Sequence, residues 1–166
     1  MPLFLFLLTV VTLSIIAWQD FRSRAVTWML FPLLAGCGLG LTYRELDSLS
    51  VQAGYGAINS AFVLLQFALL RVWFFVRKKG KVPFIDHVIG KGDLFFLLAA
   101  GLFFSPVNFI CFYLLSLLLA LLWFRAATIP LAGLQAGFLL LCLSAHLLLK
   151  WPLTDDTWIT LKLIPS

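Results

Sequence analysis

Long apolar stretches, separated by short polar ones, make up most of the chain. Six read as elements, at about residues 3–18, 26–43, 55–76, 90–104, 109–124 and 129–149. The first break is Gln19-Asp20-Phe21-Arg22-Ser23-Arg24, and the second holds Arg44, Glu45 and Asp47. The third stretch ends in a basic cluster, Arg77, Lys78, Lys79 and Lys81. Ser105-Pro106-Val107-Asn108 reads as a tight connection, the fifth stretch stops at Arg125, and a tail of mixed polarity runs from Trp151 to Ser166. A bilayer crossing needs about 20 apolar residues in a helix. The fourth stretch is short for that and requires a broken or tilted start.

Composition fixes the solvent. Of 166 residues, 63% are hydrophobic and 11% charged, with a mean hydropathy of +1.06, against roughly 25% charged residues in a soluble domain. Such a chain cannot cover a water-facing surface. The expectation is an all-α, polytopic integral membrane protein of about six transmembrane helices in the lipid bilayer. Residues 1–150 form a single transmembrane domain, and residues 151–166 a short tail on the outer face. The first stretch lacks a basic start and a small-residue cleavage site, so it reads as a retained helix.

The net charge of +5 and pI near 9.4 acquire a topological meaning. No basic surface interleaved with aromatics exists outside the loops, which argues against nucleic acid as a partner. If alternate loops share a compartment, one side holds Arg22, Arg24, Arg77, Lys78, Lys79, Lys81, Lys91 and Arg125, and the other Arg44, Lys150 and Lys162. Basic loops stay in the cytoplasm. Both termini are therefore expected outside it, with the loops after the first, third and fifth helices inside. Cys37, Cys111 and Cys142 lie singly within apolar runs, without the paired spacing of a zinc or redox site, and read as small packing residues.

Acids beside membrane helices need a reason, because a carboxylate in hydrocarbon is costly unless it faces a polar site. Glu45, Asp47, Asp155 and Asp156 fall in outer segments, which leaves Asp20, Asp86 and Asp93. Asp20 ends the first stretch and Asp93 begins the fourth. The charge count, made without either, puts both at one depth on the cytoplasmic side. If the first and fourth helices pack together, the carboxyls meet and share one proton, as an aspartic protease requires. Asp93 follows Gly90-Lys91-Gly92. Glycines there permit close approach of a neighbouring helix or an extended substrate. The alternative is a pair of interfacial acids without chemistry, Asp20 pairing with Arg22 or Arg24 and Asp93 favouring its helix N-terminus. Asp86, beside His87 in a basic loop, reads as a solvated acid.

Three segments together resemble the type IV prepilin peptidases, a family of GxGD intramembrane aspartyl peptidases. Asp20-Phe21-Arg22-Ser23-Arg24-Ala25-Val26 is similar to the family's first catalytic motif, Gly90-Lys91-Gly92-Asp93 matches its GxGD motif, and Ile129-Pro130-Leu131-Ala132-Gly133 looks like the Ile-Pro segment that opens its last helix. The resemblance implies that Asp20 and Asp93 are the catalytic pair, with Gly90, Gly92 and Pro130 as structural support. It implies pilin-like precursors as substrates, cut at the cytoplasmic face of the bacterial inner membrane just before their hydrophobic helix. It implies no cofactor and no metal. Asp86 becomes a candidate contact for the basic leader. The chain departs from many members at Thr27-Trp28, where they carry Pro-Asn, and at Phe95, where they carry lysine. Long members also have a cysteine-paired cytoplasmic segment associated with methyl transfer. None is found here, so peptidase activity without methyltransferase activity is expected. A catalytically inactive member or a membrane scaffold is the alternative.

Overall fold

The computed structural model describes residues 3–46, 48–78, 90–123, 130–149 and 153–154. These residues form six helices: α1 (Leu3–Ser23), α2 (Leu30–Leu46), α3 (Leu49–Lys78), α4 (Lys91–Ala100), α5 (Pro106–Trp123) and α6 (Leu131–Leu149). The protein is an all-α membrane protein. Three helices are long and apolar enough to cross a bilayer, Leu3–Ser23, Leu49–Arg77 and Leu131–Leu148, and two shorter apolar ones are Leu30–Tyr43 and Pro106–Leu122.

The helix boundaries differ from the hydropathy breaks for local reasons. α1 continues past Trp18 to Ser23 because nothing polar there breaks a helix. The Ser23 hydroxyl donates back to the Gln19 carbonyl at 2.8 Å, and Arg24, at φ 52, ends the helix in the left-handed region. The side-chain oxygen of Gln19 then accepts from the Thr27 N–H at 2.9 Å. This holds a turn that delays α2 to Leu30. α3 begins at Leu49, ahead of the apolar stretch at 55, with the Ser48 carbonyl taking the Gln52 N–H at 3.2 Å. Ser105-Pro106, expected in a connection, instead starts α5. The Ser105 carbonyl accepts from Phe109 at 2.9 Å, and proline suits a first helical position because its missing N–H has no partner there.

α4 has only 10 residues and spans about 15 Å, half a hydrocarbon core. It packs among α2, α3 and α6, burying Phe96, Leu97, Ala99 and Ala100. α1 packs chiefly on α6 and α2, and α5 on α6 and α3. An aromatic seam joins the last group: Phe62 meets Tyr113 edge-on at 5.9 Å, and Phe112 stacks between Phe104 at 5.0 Å and Phe138 at 5.5 Å. Large apolar side chains such as Leu7, Val11, Leu65 and Leu118 point outward, as lipid-facing surfaces require.

Non-helical backbone within a membrane is tolerated only where protein satisfies it. The turn after α4, residues 101–104, meets that condition through side chains of other helices. The Asn59 amide donates to the carbonyls of Gly101 at 2.7 Å and Phe104 at 3.0 Å. Gln52 donates to the Thr42 hydroxyl and to the Leu39 carbonyl, and Thr42 lies 3.2 Å from the Leu102 carbonyl. Glycines make the room. A Cβ on Gly38 would meet the Phe103 ring at 2.8 Å, and one on Gly56 would meet Leu102 Cδ2 at 2.7 Å. Leu153 packs at the same end, its carbonyl accepting from the Ser105 N–H at 3.2 Å and from the Asn108 amide at 2.9 Å. Asn59→Leu removes two donors from buried carbonyls. It is expected to lower unfolding stability by about 1–2 kcal/mol, measurable by SDS titration of the protein in mixed micelles. An unchanged midpoint would show that other donors replace Asn59.

Candidate active site

Three chain segments converge at the end of the bundle opposite the Asn59 turn. Pro130 precedes α6, and its carbonyl accepts from the Leu134 N–H at 3.1 Å. The first turn of a helix leaves its N–H groups without intrahelical partners and carries partial positive charge. Two of these are taken by carboxylates from other helices. The Gly133 N–H donates to Asp20 Oδ2 at 2.6 Å, and the Ala132 N–H donates to Asp93 Oδ1 at 2.9 Å. Adjacent residues are about 3.8 Å apart, so the two accepting oxygens lie within about 9 Å of each other. The two carboxyls are close enough that the charge on Asp20 acts on Asp93.

Each acid reaches this point for a local reason. Asp20 lies in the last turn of α1 and is buried, at 7% exposure, against the start of α6. Glycine at 133 is what admits it: a Cβ there would stand 3.1 Å from both Asp20 Cβ and Oδ2. Asp93 is the third residue of α4, and its carboxylate also accepts from the backbone of Gly90, the residue before the helix. That is the reach-back half of a capping box. A Cβ on Gly90 would meet Asp93 Oδ2 at 3.1 Å, so Gly90 leaves space for the carboxylate of its own helix. A Cβ on Gly92 would meet only the Phe31 ring, at 3.8 Å, an ordinary contact.

The acids therefore meet at the start of α6, each held on that helix by one backbone amide. The principal partners of α1 are α6 and α2, while α4 packs on α2, α3 and α6. Of the basic residues beside Asp20, Arg22 lies over the Trp18 ring at 5.3 Å, while the Arg24 charge acts on Asp20. Phe95 stacks on Phe31 at 6.0 Å. Asp86 and His87 lie outside the described residues. Among the described residues no three His, Cys, Asp or Glu side chains gather as a metal-binding group. Asp20, Asp93, Gly90 and Pro130 come together. Sequence reasoning missed Ala132 and Gly133 as donors, although both sit in the Ile-Pro segment it singled out.

Asp93 also lines a groove of about 920 Å³ between α3, α4, α5 and α6, walled mainly by apolar side chains including Leu70, Trp73, Leu97, Leu117 and Leu131. Two close carboxyls sharing a proton, beside an apolar groove, can act together as base and acid on a bound amide.

Compared with known protein families, residues 7–125 match the type IV leader peptidase family. The matched segment includes both acids and ends before α6. No curated protein and no solved structure matches the chain.

The contact between α1 and α6 is directly testable. With Cys37, Cys111 and Cys142 replaced by alanine, the pair Asp20→Cys and Gly133→Cys is expected to cross-link on mild oxidation, because the separation of 3.1 Å is within a few tenths of an ångström of the roughly 3.5–4.5 Å a disulfide spans between Cβ atoms. Trp18→Cys with Gly133→Cys, whose first partner is exposed, is expected to stay reduced. Equal yields from the two pairs would contradict the packing.

Proposed function

The chain belongs to the type IV leader peptidase family, and on that premise we propose that it is an aspartic endopeptidase that removes the basic leader of pilin-like precursors at the cytoplasmic face of the bacterial inner membrane. Asp20 and Asp93 are its catalytic pair. The observation that supports the assignment is the anchoring of both carboxylates to consecutive amides of one helix turn, at 2.6 and 2.9 Å.

In this reading the pair holds one proton. The ionised member takes a proton from water as the water oxygen attacks the scissile carbonyl. The protonated member donates to the developing oxyanion, and the tetrahedral adduct then collapses with transfer of a proton to the leaving amine. The amides of Ala132 and Gly133 fix both carboxylates, and the helix N-terminus stabilises the negative charge the pair retains. Residues 1–150 act as one peptidase unit with both chain ends outside the cytoplasm, in accord with the distribution of Lys and Arg. Basic residues around Arg77 hold their loop to anionic lipid. Asp86 is the acid we assign to the leader.

Co-expression with candidate precursors tests the proposal. Asp20→Asn and Asp93→Asn are each expected to reduce leader removal by at least about 100-fold while the protein still accumulates in the membrane. Cleavage that survives either change removes that residue from the mechanism, and wild-type inactivity on every candidate would favour a scaffold. Gly133→Ala, which crowds Asp20 without removing a carboxyl, is expected to cut the rate about 10-fold, since small misplacements cost factors of this size or more. Activity is expected to follow a bell-shaped pH profile, because only the singly protonated pair works. A profile with one limb would mean that a single carboxyl titrates in the reaction.

A further inference from the structure

The groove beside Asp93 contains a second polar feature that the hydrolytic step does not use. Gln66 of α3 donates through its side-chain amide to the Tyr113 hydroxyl of α5, and both side chains line the groove. Tyr113 is 7% exposed. The amide oxygen of Gln66 is buried and has no hydrogen-bond partner among the described residues. A buried amide oxygen without a donor is costly in an apolar wall and marks a place where a partner group fits.

The depth of this pair can be read from the turn at the other end of the bundle. Asn59 and Gly101 are joined by a hydrogen bond of 2.7 Å. From there α3 runs about 10 Å to Gln66, and α4, antiparallel to it, about 12 Å to Asp93. Gln66 and Asp93 thus face the groove at nearly one level. Beyond that level α3 continues about 18 Å to its end, and Leu70 and Trp73 extend the groove wall along it. Those side chains are 41% and 49% exposed, so this part of α3 has an apolar face open to an apolar occupant.

We infer that the groove seats the membrane-embedded apolar helix of the precursor, and that the Gln66–Tyr113 pair selects it through a hydrogen-bond donor carried on that helix. The inference rests on the peptidase reading and adds to it a determinant of which helices are accepted. The occupant follows from the site: its backbone must bring a scissile bond to Asp93, its surface must match an apolar wall, and one side chain must satisfy the Gln66 oxygen. Gln66 and Tyr113 are positioning residues, acting on binding and not on the reacting atoms.

The test uses the full-length protein in detergent or lipid with whichever precursor the wild type cleaves. Gln66→Leu is expected to raise KM about 10-fold or more with kcat little changed, and Tyr113→Phe, which frees the amide from its tether, to raise it less. Accumulation in the membrane is measured for both. In the precursor, replacing polar residues of the apolar helix one at a time by leucine is expected to reveal one position that raises KM in the wild type and has no further effect in Gln66→Leu. A photo-crosslinking amino acid at Leu70, which lines the groove, is expected to capture the mature part of the precursor, and the same group at exposed Leu65 is not. Wild-type cleavage with an unchanged KM in Gln66→Leu overturns the inference and leaves the peptidase reading intact. Capture of lipid alone at Leu70 also overturns it. If the wild type cleaves nothing, the peptidase reading fails and the inference fails with it.

Discussion

Two adjacent backbone amides hold the candidate site together. The N–H groups of Ala132 and Gly133 need partners because a helix cannot supply them within its own first turn. The carboxylates of Asp20 and Asp93 need donors because hydrocarbon supplies none. Each need answers the other, and the result ties α1 and α4 to the same end of α6. Charge-assisted bonds of this kind are short and strong, and in a low dielectric they resist competition from water. They also keep the two carboxyls near each other, where the charge on Asp20 acts on Asp93.

The rest of the bundle keeps α4 where this can happen. At about 15 Å, α4 is too short to cross the membrane, and a short helix in lipid would expose unpaired carbonyls at its far end. Asn59 and Thr42 meet that end from α3 and α2, Gln52 donates to Thr42 behind it, and Gly38 and Gly56 let Phe103 and Leu102 pack against them. α4 is therefore fixed at both ends by hydrogen bonds to other elements, with its middle buried. α3 has the opposite problem. Its 30 residues reach about 45 Å, beyond a hydrocarbon core of roughly 30 Å, and its last third leaves the bundle with apolar side chains uncovered. The fixed short helix and the long one both wall the groove that Asp93 lines, together with α5 and α6.

Much of this was legible in the sequence. The apolar runs located the six helices of the described residues, and the Lys and Arg count put Asp20 and Asp93 at one end. What it hid has three physical causes. Hydropathy treats polar residues as breaks, whereas Gln19 to Ser23, Ser48 and Gln52 belong to helices or their starts, which shifted several boundaries. Polar side chains within spans, Asn59 and Gln66 among them, signal interhelical bonds only once a partner is known, and their partners lie at Gly101 and Tyr113, about 40 or more residues away. The amide donors were hidden for a third reason. A backbone N–H belongs to every residue except proline, so nothing in the identity of Ala132 advertises it.

The sequence around those amides is still constrained, indirectly. A helix would ordinarily be free to extend by a turn at its N-terminus, and each added residue would convert an open N–H of α6 into an intrahelical donor. Pro130 prevents this. The residue before a proline is pushed out of the helical region, and proline within a helix clashes with the preceding turn, so α6 must begin where it does and the amides at 132 and 133 stay open. Gly133 then supplies the space, since any Cβ there would stand 3.1 Å from the Asp20 carboxylate. Ala132 has no such restriction, because only its N–H is used. A start point set by proline and a contact set by glycine three residues later are thus the requirements a backbone clamp leaves in the sequence. They explain why the Pro-Leu-Ala-Gly segment, which contributes no acid or base, belongs to the candidate site as much as the two aspartates it holds.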